Sequence, residues 1–400
     1  SDPFAKADWT DDAVFARVLE QINARMTRGD VPLNLSATSL VTNAYLYTGE
    51  EKYKRWVLDY LMAWMERRDQ NNGIMPDNIG PNGAIGELID GKWWGGYYGW
   101  RWPHGARNII EGAYVAGSCA ALMTGDMNWF DLCRSQLDML WSLRREEDGV
   151  LKVPARHGDG GWFDYHTPDP LYYIHLYYLS QSAEDKARLD EVFPAREDFA
   201  AFPTDWGAAK AGICPPRAWF AFMEGSYPDY PLAAIESTEN SVGHSLERLA
   251  ADDSDPETRH CYHFQNLNPV LPEALVQMAM GTPAALYNGG LLQTHLHYFD
   301  PEKKRPGLPE YVAALVEEVA ADSAQVTLVN TDLVAGHAVV VQAGSFGEHS
   351  FERAEVEGGE VVEISGRWLR VELGPSAQVK LKLEMRRFVH QPSYNGPEWS

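Results

Sequence analysis

Apolar residues recur at helical spacing through the first three-quarters of the chain, then switch to strand spacing near Val326. The helical pattern predicts amphipathic helices over Asp12 to Met26 and Glu51 to Arg67. In the second, Tyr53, Val57, Tyr60, Leu61 and Trp64 fall on one face. Asn108 to Met123 and Trp129 to Leu143 predict a further pair of the same kind. Beyond Val326 the pattern shortens to β-branched runs: Val326–Asn330, Ala338–Gln342, Val361–Ile364, Trp368–Glu372 and Val379–Glu384. Glycine turns separate them and the last run alternates apolar with charged residues, which predicts a small antiparallel β-domain.

The two helix pairs look like copies of one unit. The segment from Ala44 to Glu50 (AYLYTGE) aligns without gaps on Ala120 to Asp126 (AALMTGD), and Tyr53 then meets Trp129, as Trp64 meets Leu140. Each copy closes a helix at Thr-Gly-acid, where glycine supplies a left-handed cap and the acid opens the next helix. A weaker third copy follows at Leu176 to Glu184. Helical hairpins that cannot bury their faces alone stack on one another. Long inserts such as Asn71 to Asp90 and Lys152 to Pro170 would then line a single face as loops.

One stretch fits neither period. Between Trp93 and Trp102 six of ten residues are aromatic, against 12 % in the whole chain, and Gly95, Gly96 and Gly99 interrupt them. Pro103, with Arg101, His104 and Arg107 around it, completes the segment. Rings on a glycine-kinked loop suit stacking on sugar faces, and Trp and Tyr add a polar edge for hydroxyls. A large loop packed into the core would bury the same rings, but would not require clustered Arg and His.

Helical-hairpin repeats, an aromatic loop and a C-terminal β-domain together resemble the α/α-toroid carbohydrate-active enzymes. These include toroidal polysaccharide lyases and, more distantly, toroidal glycoside hydrolases. The resemblance lies in architecture rather than in any signature motif. It implies a mainly α fold: an (α/α)n toroid or incomplete barrel of helical hairpins over residues 1–320. A small antiparallel β-sandwich-like domain and tail would follow over 321–400.

Charge narrows the partner. With 34 Lys and Arg against 57 Asp and Glu the net charge is −23, which disfavours a nucleic-acid partner. No apolar run is long enough to insert into a membrane. Cys119, Cys133, Cys214 and Cys261 form no CxxC pair, and the first two lie in apolar helical contexts that suggest buried thiols. No leader is visible at Ser1; a processed chain would be periplasmic or secreted, an unprocessed one cytoplasmic.

Two chemistries remain open. Hydrolysis of a glycosidic bond by paired carboxyl groups could draw on Asp77, Glu87, Asp90, Asp159, Asp164, Glu224, Glu236 or Glu239. Lyase cleavage of a uronic-acid glycan, which the resemblance implies, needs Arg, His or Asn to neutralise the carboxylate and Tyr or His to move the proton. Histidines beside Tyr, Asn or Arg in several predicted loops favour the second reading. The catalytic candidates are His104, Arg101, Tyr98, Tyr165, His166, His263 and Asn266. The binding candidates are Trp93, Trp94, Tyr97, Trp100, Trp102, Arg107, Asn78, Trp162, Asn240 and His244. The expected partner is an acidic polysaccharide or oligosaccharide, and a non-catalytic sugar-binding protein is the remaining alternative. No cofactor is called for, although His295-x-His297 would place two imidazoles on one strand face for a metal.

Overall fold

The computed structural model describes residues 10–26, 29–194, 214–259, 263 and 267–398. The chain forms two compact units that interleave in sequence. The first comprises Ser1–Thr42, Lys52–Ala120 and Asn128–Pro168; the second comprises Asn43–Glu51, Ala121–Met127 and Asp169–Ser400.

In the first unit the predicted stripes are the ones buried. Helix α3 (Glu51–Gln70) turns Val57, Leu61 and Trp64 inward. Ile109, Ile110, Ala113 and Ala116 of α4 (Gly105–Thr124) and Leu132 and Leu137 of α5 (Asp131–Ser142) are buried with them. Buried Gln136 of α5 ties down the segment after α3, donating to the Gly73 carbonyl and accepting from the Met75 N–H at 2.8 Å. Here too lies a three-stranded antiparallel sheet of β1 (Arg145–Glu147), β2 (Val150–Gly158) and β3 (Gly161–His166). The stretch read as a loop from Lys152 is therefore a hairpin. Its turn is the dipeptide Asp159-Gly160, a hairpin signal that the period-3.6 reading overlooked.

The repeated Thr-Gly-acid motif does what its residues dictate. Gly49 follows α2 (Thr38–Thr48) at φ 68° and Gly125 follows α4 at φ 74°. Each donates its N–H to a carbonyl four residues back at 2.7 Å. The third copy keeps the geometry without glycine. Gln181 adopts φ 52° after α6 (Pro170–Ser180), and Ser182 caps α7 (Ala183–Val192) by accepting from the Asp185 N–H.

The second unit also holds α8 (Pro216–Met223), α9 (Tyr230–Ala250), α10 (Glu273–Met280) and a two-sheet antiparallel sandwich. One sheet runs β10-β9-β12-β7-β6 and the other β11-β8-β4-β5. Its strands are β4 (Leu296–Asp300), β5 (Arg305–Pro306), β6 (Val312–Val319), β7 (Ser323–Asn330), β8 (His337–Ala343), β9 (Ser350–Val356), β10 (Val361–Gly366), β11 (Trp368–Leu373) and β12 (Gln378–Arg386). Alternation sets the register: Leu381 faces Val326 and Leu383 faces Ala324 across the β12–β7 pair, all four buried in the sandwich core.

The five predicted strands are all present, but the mainly α toroid is overturned. Three antiparallel sheets interleave with the helices, and the β region begins at Leu296 rather than beyond Val326. The residues explain the error. β6 reads Val-Ala-Ala-Leu-Val-Glu-Glu-Val, rich in helix formers, and becomes a strand because β7 pairs with it. β4 is buried on both faces, which erases its alternation.

Candidate functional site

The aromatic loop of the first unit is organised from below by one carboxylate. Asp77 is fully buried and accepts the backbone N–H groups of Gly95, Gly96 and Trp100 at 2.9, 2.8 and 2.8 Å. Burial pushes its pKa upward, and the hydrogen bonds from Gly96, Asn78, Gly95 and Trp100 oppose that shift. The loop glycines are needed for space. A Cβ on Gly96 would stand 2.1 Å from the Asp77 carbonyl oxygen, and one on Gly99 2.2 Å from its carboxylate. Tyr98 takes a left-handed φ of 55°, and its carbonyl accepts from the Asn108 side chain at the start of α4. Asp77, proposed from sequence as a hydrolytic carboxylate, thus builds the loop. Asn78 does likewise, since its buried amide donates to Asp77 and to the Lys92 carbonyl.

Trp100 is not a platform residue. It is wholly buried, and its indole N–H donates to the Met75 carbonyl at 2.7 Å. The half-exposed rings form two groups. Trp93, Trp94 and Trp162 surround the His157 imidazole, with ring centres 4.5, 4.8 and 4.8 Å from it. Tyr97, Tyr98 and Trp102 form the other, at 4.2 to 5.0 Å. The hydrogen bond between the two tyrosines, with burial second, pushes Tyr97 up to about 12, which suits a proton donor better than a base. Burial lowers the His157 pKa against the opposing charge of Asp159, so this ring is neutral at neutral pH. Among the described residues His157 Nδ1 is buried without a hydrogen-bond partner, while the Trp94 indole helps to hold the Asp159 carboxyl low.

The hairpin brings charge to this face. Lys92 Nζ lies 2.8 Å from Asp159 and Arg101 lies 4.0 Å from the same carboxylate. The Lys92 hydrogen bond, then its charge, hold Asp159 below the usual carboxylate range. Arg156 reaches from β2 to the Arg101 carbonyl at 2.7 Å and to Asp164 at 3.8 Å. Asp164 and His166, two apart on β3, share a face and a 2.8 Å hydrogen bond. Tyr165 alternates away from them and packs beneath the Arg145 guanidinium, 3.4 Å from its ring centre. Tyr165 and His166 are therefore neighbours in sequence only.

Of the residues singled out from sequence, the structure gathers Trp93, Trp94, Tyr97, Tyr98, Arg101, Trp102, Trp162 and His166 on this loop and hairpin. His104 is exposed and Arg107 half-buried where α4 begins. Asn240 and His244 are exposed on α9 of the second unit. His263, also there, hydrogen-bonds Asp252 at 2.8 Å. Ser254 lies 3.4 Å from the same ring nitrogen, so this Ser-His-Asp trio lacks the two-nitrogen relay of a nucleophilic triad. Asn266 lies outside the described residues. The sequence offers Asp159 only as one of eight candidate carboxylates and Lys92 only as a cation near Arg101, and it gives no sign of Arg156, because pairs 67 and 55 positions apart leave no local signal. Among the described residues no group of three or more His, Cys, Asp or Glu is arranged to hold a metal. Among them, too, no helix is long and apolar enough to cross a membrane.

A family model described as a domain of unknown function, DUF8034, matches residues 2–153 and again 142–276. No curated protein matches. Among solved structures, a putative alpha-galactosidase from Bacteroides fragilis aligns at 16 % identity with a TM-score of 0.16. That alignment covers 20 % of this chain and 18 % of the other, an overlap that carries no argument about fold or activity.

Proposed function

The chain belongs to the DUF8034 family of unknown function, and for this member we propose that the first unit binds an acidic glycan and cleaves it by β-elimination. The observation that supports this reading is the half-exposed Trp93, Trp94 and Trp162 cluster bordered by the Lys92 and Arg101 cations. In this scheme the rings stack on sugar faces, and Arg101 with Lys92 meets the uronate carboxylate. Charge neutralisation there acidifies the adjacent C–H. His104 takes that proton, the electron pair forms the new double bond, and the 4-linked oxygen leaves with a proton from the Tyr97–Tyr98 hydroxyl pair.

The paired-carboxylate hydrolase has less support. Asp77 is locked beneath the loop, Asp159 is held ionised by Lys92, and Glu87 is engaged by Asn82.

The test is incubation with a panel of uronate polysaccharides, following the ultraviolet absorbance of the conjugated unsaturated product. Absorbance that grows with time and falls away in Arg101→Ala is the expected result. New reducing ends without absorbance would replace the lyase by a hydrolase, and binding without either would leave a binding protein. Trp93→Ala and Trp162→Ala are each expected to weaken glycan binding by about 2- to 13-fold, from the roughly 0.5–1.5 kcal/mol that aromatic stacking contributes. Asp159→Asn offers a sharper discrimination. Releasing Lys92 and Arg101 should tighten binding of uronate oligosaccharides and leave neutral ones unchanged, measured by titration calorimetry; equal effects on both would remove the acidic-substrate assignment.

A further inference from the structure

The second unit carries a cleft that the loop site does not explain. Alternation along β11 sends Leu369, Val371 and Leu373 into the sandwich core and leaves Trp368 and Arg370 on the outer face of their sheet. On the neighbouring strand Val339, Val341 and Ala343 face the same core, so Gln342 and Val340, paired with Trp368 and Arg370, lie outward with them. A cavity of about 540 Å³ opens there. Trp368 and Val340 line it, with Pro301 and Lys304 from the β4–β5 turn, Arg370, and Glu398 of the C-terminal segment.

We infer that this cleft is a second saccharide subsite, selective for an anionic sugar. Its volume lies within the roughly 300–1,000 Å³ of small-molecule sites. The Trp368 indole N–H is tied to Gln342 Oε1 at 2.8 Å, which fixes a flat ring without consuming its face. Val340 is buried beside it and completes an apolar floor. Two cations border the floor. Arg370 is exposed and its Nε lies 2.7 Å from Glu372, leaving the remaining guanidinium N–H groups for a ligand carboxylate. Lys304 is exposed, with no ion pair among the described residues. Glu398 supplies an acceptor for sugar hydroxyls. An aromatic floor, two cations and one carboxylate match a sugar ring bearing both hydroxyls and a negative group. They suit a neutral glycan or an extended apolar peptide less well. This assignment stands on the second unit alone and does not depend on the loop site being catalytic.

The experiment uses the full chain carrying Trp93→Ala, Trp162→Ala and Arg101→Ala to weaken the loop site, titrated with uronate disaccharides and with neutral disaccharides of the same size. Residual saturable binding of a uronate disaccharide is expected, weakened at least 10-fold by Trp368→Ala. Lys304→Gln with Arg370→Gln should abolish the preference for the acidic sugar. These two side chains are exposed, so the pair tests the idea even if Trp368→Ala fails to fold, which thermal denaturation would reveal. No saturable binding to the protein with the weakened loop site, or binding indifferent to the Lys304 and Arg370 changes, overturns the subsite. The loop reading is judged separately: Lys304→Gln with Arg370→Gln on an otherwise natural chain should retain the cleavage activity.

Discussion

Asp77→Ala is expected to destabilise the first unit by about 3–5 kcal/mol, because one buried and two part-buried N–H groups lose the carboxylate that accepts them, at about 1–3 kcal/mol apiece with partial relaxation. The donors are those of Gly95, Gly96 and Trp100. Asp77→Asn separates charge from shape. Oδ1 receives Gly96 and the Asn78 amide while Oδ2 receives Gly95 and Trp100, so an amide keeps one acceptor and points N–H groups at the other donors. A loss only slightly smaller than that of alanine follows. Urea denaturation followed by tryptophan fluorescence reads both variants directly, since the affected loop carries the rings. Losses below about 1 kcal/mol in both would mean that the loop holds its shape without the carboxylate. Because Asp77 also shapes the floor under Trp93 and Trp94, glycan binding should fall with it, whereas Asp159→Asn should leave stability nearly unchanged at its exposed position.

Acid should unfold the second unit steeply between pH 6.5 and 4. His175 is buried on α6 with Nε2 2.6 Å from the Ala284 carbonyl, and burial lowers its pKa to about 4. His295 and His349 are also buried and are held well below the ordinary value, first by burial and then by the Arg387 charge. The sign follows from proton uptake. Above pH 6.5 these rings are neutral in both states; as pH falls toward 4 only the unfolded chain binds the protons, so stability is lost. For His175 alone the loss is about 3 kcal/mol at 1.36 kcal/mol per pH unit. Glu348 works in the opposite sense. Burial raises it to about 7, so its contribution is complete below about pH 4.5 and lost as pH rises through 7. Protonation of surplus surface carboxylates also relieves self-repulsion in acid, so the decisive quantity is a difference between variants. His175→Gln, which keeps a donor for Ala284, should flatten the acid limb relative to the natural chain by about 3 kcal/mol. Superimposable limbs for the two proteins would show that His175 is not the acid-sensitive group.

Local physics was legible in the residues themselves. Thr-Gly-acid closes α2 and α4 because glycine takes the left-handed cap at little cost wherever the chain lies. The stripe Val57, Leu61 and Trp64 and the alternation of β12 announce which side is buried, since helix and strand periods are properties of the backbone. The irregular run from Trp93 to Trp102 was recognisable as a loop rich in rings. Tertiary structure decided the rest. It turned the Ala-, Leu- and Glu-rich β6 into a strand, because hydrogen bonds to β7 outweigh a weak helical preference. It separated Trp100, sealed in the core, from Trp93, Trp94 and Trp162 around His157, a distinction that composition does not contain. It set Asp77 under Gly96 and Gly99, and Asp159 between Lys92 and Arg101. Those pairings join residues far apart along the chain, and their energies depend on burial and distance, which exist only once the chain has folded.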